Sequence, residues 1–289
     1  METTPLLDTY LRRLNLPVFA QQYAQVADEA ARANLSYDRF LLLLAEQELA
    51  QRDEARQRHC LKSARFPILK ELADFDFRAI PSLNRARVFE LARGHYIAKA
   101  ETILLVGNPG LGKTHIATAL AVAACRQRMR VRFYTAAGLV NDLLAAQETQ
   151  RVGRLIATAL KHQLIVLDEL GFLPLSPTGA QLLFQFCSAL HERVALIVTT
   201  NLRFADWPQV FGSESLTAAL LDRLTARSHI LEFVGESFRL RQRQRREANG
   251  WLNDLPIPGD AMSPVAGDAS RPAGRDASPA TGPAPYASG

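Results

Sequence analysis

The sequence predicts an α/β fold: a five-stranded parallel sheet covered by helices, preceded by a small all-helical N-terminal domain. Three observations carry this. From Glu101 onward, short apolar runs rich in β-branched residues alternate with helical stretches, the pattern of βαβ units around a sheet buried on both faces. A glycine-rich segment joins the first of those runs to a helix. Before residue 100, apolar residues recur every three to four positions, as they do along a helix face.

In chain order, residues 1–95 read as the helical domain, 96–255 as the sheet domain and 256–289 as a tail. Leu6, Leu7, Tyr10, Leu14 and Val18 mark the first helical face. Ser36 is placed to cap a helix over about 37–63, and Phe40, Leu43, Leu44 and residues 47–49 continue its apolar stripe. A third helix starts after Pro81-Ser82 and ends near Gly94. Between them, Asp74-Phe75-Asp76-Phe77 alternates, which suits a short extended segment docking two rings on a neighbouring surface. Strands are expected over 102–106, 131–134, 164–167, 195–199 and 229–233. The last segment is rich in Pro, Ala, Gly and Ser. It holds too few large apolar residues to offset its ordering entropy, so it reads as disordered.

Composition narrows the function classes. The chain has 289 residues, 48% of them apolar, enough for a packed core and too many for a wholly disordered protein. No apolar run is long enough to span a bilayer, and the N-terminus has no basic-then-apolar order, so neither a membrane span nor a secretory signal is expected. Cys60, Cys125 and Cys187 lie far apart. They make no metal spacing and no even disulfide set, which fits a reducing, cytoplasmic compartment. The formal charge is +5, and most of the basic residues are arginine, whose planar fork matches phosphate oxygens. Three runs concentrate it: Arg52, Arg56, Arg58, Lys62 and Arg65; then Arg126 to Arg132; then Arg239 to Arg246. Such patches attract polyanions. The first run is the main candidate for a polyanion contact, the last a second.

The chemistry sits between strand and helix. Gly107-Asn108-Pro109-Gly110-Leu111-Gly112-Lys113-Thr114 follows an apolar run and precedes a helix that begins at His115. The glycines let successive backbone N–H groups point at phosphate oxygens, and the helix N-terminus adds its positive end. Residues 107–115 are therefore the expected nucleotide-binding stretch. Lys113 is expected to reach the β- and γ-phosphates, and Thr114 to offer its hydroxyl to Mg²⁺. Some 50 residues on, Leu164-Ile165-Val166-Leu167 ends in Asp168-Glu169. Ligands bind at this edge of a parallel sheet, so Asp168 is the expected Mg²⁺ ligand and Glu169 the base that activates water. A further run ends in Thr199-Thr200-Asn201. Asn201 is the expected contact to the γ-phosphate or the attacking water, with Thr200 as the alternative.

Taken together, residues 107–114, 164–169 and 199–201 resemble the Walker A, Walker B and sensor 1 elements of AAA+ ATPases. The resemblance is closer still to the IstB-like family, the helper ATPases encoded beside the transposase in one class of bacterial insertion sequence. It is carried by Ala64-Arg65-Phe66-Pro67, Lys70-Glu71-Leu72-Ala73-Asp74-Phe75-Asp76-Phe77, Leu167-Asp168-Glu169-Leu170-Gly171 and Glu236-Ser237-Phe238-Arg239, and covers about residues 5–250. It implies an AAA+ P-loop core that hydrolyses ATP with Mg²⁺. It implies a homo-oligomer, ring or helical, on duplex DNA, working with a cognate transposase. It also implies that Arg223, or nearby Arg227, is the arginine finger entering a neighbouring subunit's site. Arg239 would be the sensor 2 arginine, contacting nucleotide in its own subunit, a role that competes with its place in the last basic run. The alternative is a DnaC-like replicative helicase loader, which shares the ATPase core. The Phe66-Pro67 to Phe77 stretch favours the transposition helper.

Overall fold

A computed structural model describes residues 3–238 and Arg243. The expectations for Arg239 and for the segment 256–289 lie outside these residues. The described residues belong to one compact unit.

The N-terminal part is helical. Helix α1 spans Thr3–Arg13, α2 Pro17–Arg32 and α3 Tyr37–Ala64. The periodicity through Leu14 and Val18 does not continue as one helix. Asn15 turns into the left-handed region (φ 58°), and Pro17 opens α2 because its missing N–H is an orphan there anyway. Consequently Val18 is buried, while Leu6, Tyr10 and Leu14 of the expected face stay exposed. Ser36 caps α3 as expected, accepting from the Arg39 amide. The first turn of α2 is capped from another helix: buried Glu48 of α3 accepts from the Val18 amide at 2.9 Å. Arg52 Nε donates to the same carboxylate at 2.7 Å, so the charge taken out of water has two partners.

Helix α3 ends at Arg65, itself left-handed. The chain then forms a strap of two 3₁₀ turns, Leu72–Asp74 and Phe77–Ala79, followed by α4 (Arg85–Leu91, capped by Asn84) and α5 (His95–Ala98). The third expected helix is α4, which stops short of Gly94 as expected; Gly94, at φ 79°, then turns the chain into the additional short helix α5. The strap is also not the extended segment that alternation suggested. Of Asp74 to Phe77, only Phe75 and Asp76, between the two turns, have extended dihedrals. The two rings do dock, with Phe75 and Phe77 edge to face at 4.9 Å.

The sheet contains β1 (Thr102–Gly107), β2 (Val131–Thr135), β3 (Leu164–Leu170), β4 (Ala195–Thr200) and β5 (Ser228–Phe233). All neighbours are parallel, in the order β2-β3-β4-β1-β5. The connecting helices are α6 (Lys113–Arg126), α7 (Ala136–Glu148), α8 (Val152–Ala159), α9 (Pro177–Leu190), α10 (Pro208–Phe211) and α11 (Glu214–Thr225). Strands β1 to β4 offer alternate side chains to two cores, while edge strand β5 contributes Leu231 and Phe233 to the first alone. Ile103 and Leu105 join a cluster with α3, α4 and α6, whereas Leu104 joins one with α7, α9 and α11. Truncating any one of these buried leucines to alanine would cost about 2–5 kcal/mol. Cys60 and Ala64 of α3 share the first cluster with the sheet, so the end of α3 is seated directly on the P-loop side. The three thiols are free and buried. Burial pushes Cys187 up to about 12, while a hydrogen bond with Cys125 brings Cys60 down to about 7. Among the described residues, no helix is long and apolar enough to cross a membrane.

Candidate nucleotide site

The carboxyl ends of β1, β3 and β4 lie side by side, so the segments that follow them share one edge of the sheet. β1 runs into the glycine loop, which opens directly into α6, aiming that helix's free amides at the loop. Two glycines are required by close approach. A methyl group on Gly107 (φ 150°) would sit 2.2 Å from the Phe233 carbonyl oxygen of β5, and one on Gly112 (φ 85°) 2.7 Å from the Phe75 ring. The loop is thus clamped between the last strand and the strap. Phe238 adds a third hold, donating its amide to the Gly110 carbonyl at 3.0 Å.

The side chains gather on one cavity of about 500 Å³. Lys113 is buried, and its Nζ donates to the Gly107 and Asn108 carbonyls at 2.6 and 2.8 Å. Thr114 and Thr199 both donate to Asp168 Oδ1, at 2.9 and 2.6 Å, and Thr199 in turn accepts from the Glu169 amide at 2.9 Å. Asp168 is only 3% exposed, so these bonds compensate a carboxylate withdrawn from water. Glu169 is exposed, lines the cavity and has a left-handed backbone (φ 61°). Strain of this kind is typical of functional positions. Asn201 also lines the cavity, and its buried Oδ1 has no partner. An orphaned acceptor of that kind requires an explanation, and a ligand entering the cavity supplies one.

The expected site residues fall into three groups. Gly110, Leu111, Gly112, Lys113, Thr114, His115, Glu169 and Asn201 line the cavity, with Pro109 beside them. Asp168 lies beneath them, bonded to Thr114, and Gly107 and Asn108 are not in the lining but offer their carbonyls to Lys113. Arg223 is elsewhere, on α11, with its guanidinium over the Phe184 ring at 4.7 Å and donating to Ser188 Oγ. Arg227 is also away from the cavity and pairs with Glu192 at 3.7 Å. No arginine among the described residues lines the cavity.

The basic residues of α3 divide as well. Arg52 is taken by Glu48 and the Asn15 carbonyl, and Arg56 lies 3.8 Å from Asp53. Arg58 and Lys62, four apart, are exposed on one face of α3, and Arg65, which ends the helix, is exposed just beyond them.

Sequence reasoning missed the strap's share of the cavity. Pro67, Ile68, Lys70, Phe75 and Ile80 line it. The strap is held to α6 twice: His115 Nε2 donates to the Glu71 carbonyl at 2.9 Å, and the Glu71 carboxylate pairs with Arg126. The alternating Asp-Phe-Asp-Phe was the available signal, but nothing local says which surface the rings cover. Thr199 was likewise passed over in favour of its neighbours, because its role depends on β4 lying beside β3.

A phosphate-type loop after β1, acids at the end of β3 and a polar end to β4, on a 2-3-4-1-5 parallel sheet, define a P-loop NTPase core of the AAA+ class. Within that class, the chain belongs to the family of IstB-like ATP binding proteins, whose model matches residues 9–246. It is 35% identical over 238 residues to the insertion sequence IS5376 protein of Geobacillus stearothermophilus, covering 82% of this chain and 95% of that one. It is 35% identical over 256 residues to the IS21 protein of Pseudomonas aeruginosa, covering 89% and 96%. Both relatives are named as ATP-binding proteins. Among solved structures, the DnaC helicase loader aligns with a TM-score of 0.46 at 22% identity, covering 53% of this chain and 90% of that one.

Proposed function

We propose that this protein is an ATP hydrolase that assembles on target duplex DNA and assists a transposase. The observation that carries the reading is the cavity in which Lys113, the Thr114–Asp168–Thr199 network, Glu169 and the unpartnered Asn201 converge.

The amides of the glycine loop and α6 cradle the phosphates, and Lys113 exchanges its bonds to the loop carbonyls for phosphate oxygens. Thr114 and Asp168 fit Mg²⁺. They are two hard oxygen donors hydrogen-bonded to each other, and no cluster of three acidic, His or Cys side chains surrounds them among the described residues. That suits an ion that keeps several waters and takes phosphate oxygens. When bound, it neutralises charge on the β- and γ-phosphates. Asn201 Oδ1 accepts a hydrogen bond from the attacking water and orients it. Glu169 takes a proton from that water as its oxygen bonds to the γ-phosphorus. The bond from phosphorus to the β–γ bridging oxygen breaks, and ADP leaves with the electron pair. Arg223, supplied by a neighbouring copy, stabilises charge on the transferred group. Arg58, Lys62 and Arg65 meet DNA phosphates, giving salt-sensitive binding with little sequence preference. The family and the free thiols fit a cytoplasmic protein.

The test is ATP hydrolysis with and without non-specific duplex DNA at two salt concentrations. Stimulation that fades with salt supports the reading. Hydrolysis indifferent to DNA would overturn it in favour of a protein-stimulated ATPase, and a replicative helicase would be the first partner to try.

A further inference from the structure

We infer that Phe184 and Ser188 are positioning residues for Arg223, holding its guanidinium at the surface in the pose offered to a second copy of the chain. The inference rests on the proposed action of Arg223 in trans. Phe184 and Ser188 lie one turn apart on α9, both half-buried beside the fully buried Leu183, Phe186 and Cys187. They grip one group from two directions. The Phe184 ring takes the face of the guanidinium, and Ser188 Oγ accepts from Nη1.

The chemistry of arginine makes this a useful arrangement. A free arginine has four flexible torsions, and ordering them at the moment of reaction would weaken its effect on the transition state. Stacking on a ring orders the side chain in advance and occupies only the π face. One hydrogen bond uses one of five N–H donors, so the others remain for a phosphate oxygen. Arg227 has no such seat, only its pairing with Glu192. The supporting element is also rigid. α9 is capped by Ser176 and starts at Pro177, a few residues beyond Phe172, which lines the chain's own cavity. The arginine's seat is thus tied to the chain's own cavity through α9 and the short loop that follows Phe172.

A mixing experiment tests this. The acceptor subunit carries Arg223→Ala and an intact cavity; the donor carries Glu169→Gln and an intact Arg223. With ATP and duplex DNA, the mixture is expected to hydrolyse ATP although neither subunit does so alone. Phe184→Leu or Ser188→Ala in the donor is expected to lower that restored kcat about tenfold at unchanged KM, and Phe184→Tyr to retain it. The same substitutions in the acceptor have no guanidinium to act on, so they report structural damage alone, and the rate is expected to stay within about twofold. Thermal melts of each variant check folding, with Ser188→Ala as the milder change. Donor substitutions without effect, or equal losses in donor and acceptor, would overturn the inference. If the starting mixture fails to hydrolyse ATP, the action of Arg223 in trans is overturned, and this assignment with it, before any α9 substitution is made.

Discussion

At Gly107 the phosphate loop is limited by a backbone atom. The Phe233 carbonyl cannot swing aside as a side chain can, so Gly107→Ala forces β1 and β5 apart at their ends. About 2 kcal/mol or more of stability should be lost, which lowers Tm by several degrees in a unit of this size. ATP affinity should fall with it, since the loop can no longer close. Calorimetric melting with and without ATP checks both, and an unchanged melt would refute the contact. Glu169→Gln acts differently. It keeps the shape of the site and removes the base, so binding should persist while kcat drops about 100-fold or more. Binding and single-turnover hydrolysis separate the two effects. Glu169 was legible in the sequence because an apolar run ending in Asp-Glu is a local pattern. The Thr199 hydroxyl beneath it was not, since its partner Asp168 lies 31 residues away along the chain.

Among the elements, the strap and α3 join the nucleotide cavity to the basic face proposed to meet DNA. Phe75 lies against Gly112 and 5.3 Å from the His115 ring, and the chain leading back from it ends in the exposed face of Arg58, Lys62 and Arg65. Replacing those three with alanine should weaken duplex binding uniformly across sequences. It should also reduce the slope of log affinity against log salt by about 2–3, one contact each. A slope that does not change would remove this face from the DNA interface. The same triple substitution should leave basal, DNA-free hydrolysis intact, since none of the three lines the cavity. The cap on α3 could be read from Ser36, because capping is a local hydrogen bond. The break after Leu14 was less legible: the apolar period runs through it, and only Asn15 and Pro17 hint that the backbone turns. The 3₁₀ turns of the strap depend on docking to α6, which no periodicity reports.

For the whole molecule, the distance between Arg223 and its own cavity has a kinetic consequence. If the finger acts in trans, hydrolysis per subunit should rise with protein concentration and then level off as assembly saturates. A rate per subunit that is flat across the assembly range, measured beside sedimentation, would count against it. The strands were legible because a strand buried on both faces is a continuous apolar run, and the observed ranges extend the expected ones by only a few residues. The order of those strands was not, since lateral pairing joins segments some 30 to 130 residues apart.

Helix α3 is one uninterrupted run of 28 residues, about 42 Å long. It holds α2 near its start and seats on β2 and α6 near its end. Nothing along it acts as a joint, so the bearing of α1 and α2 around its axis is fixed by residue count. Inserting one alanine midway would turn the whole N-terminal hairpin by about 100° while advancing it by about 1.5 Å; inserting seven would bring it back to nearly its original heading, about 10 Å further out. Anything that grips α1 or α2 while the sheet holds nucleotide is thereby obeying an angular register set far from both.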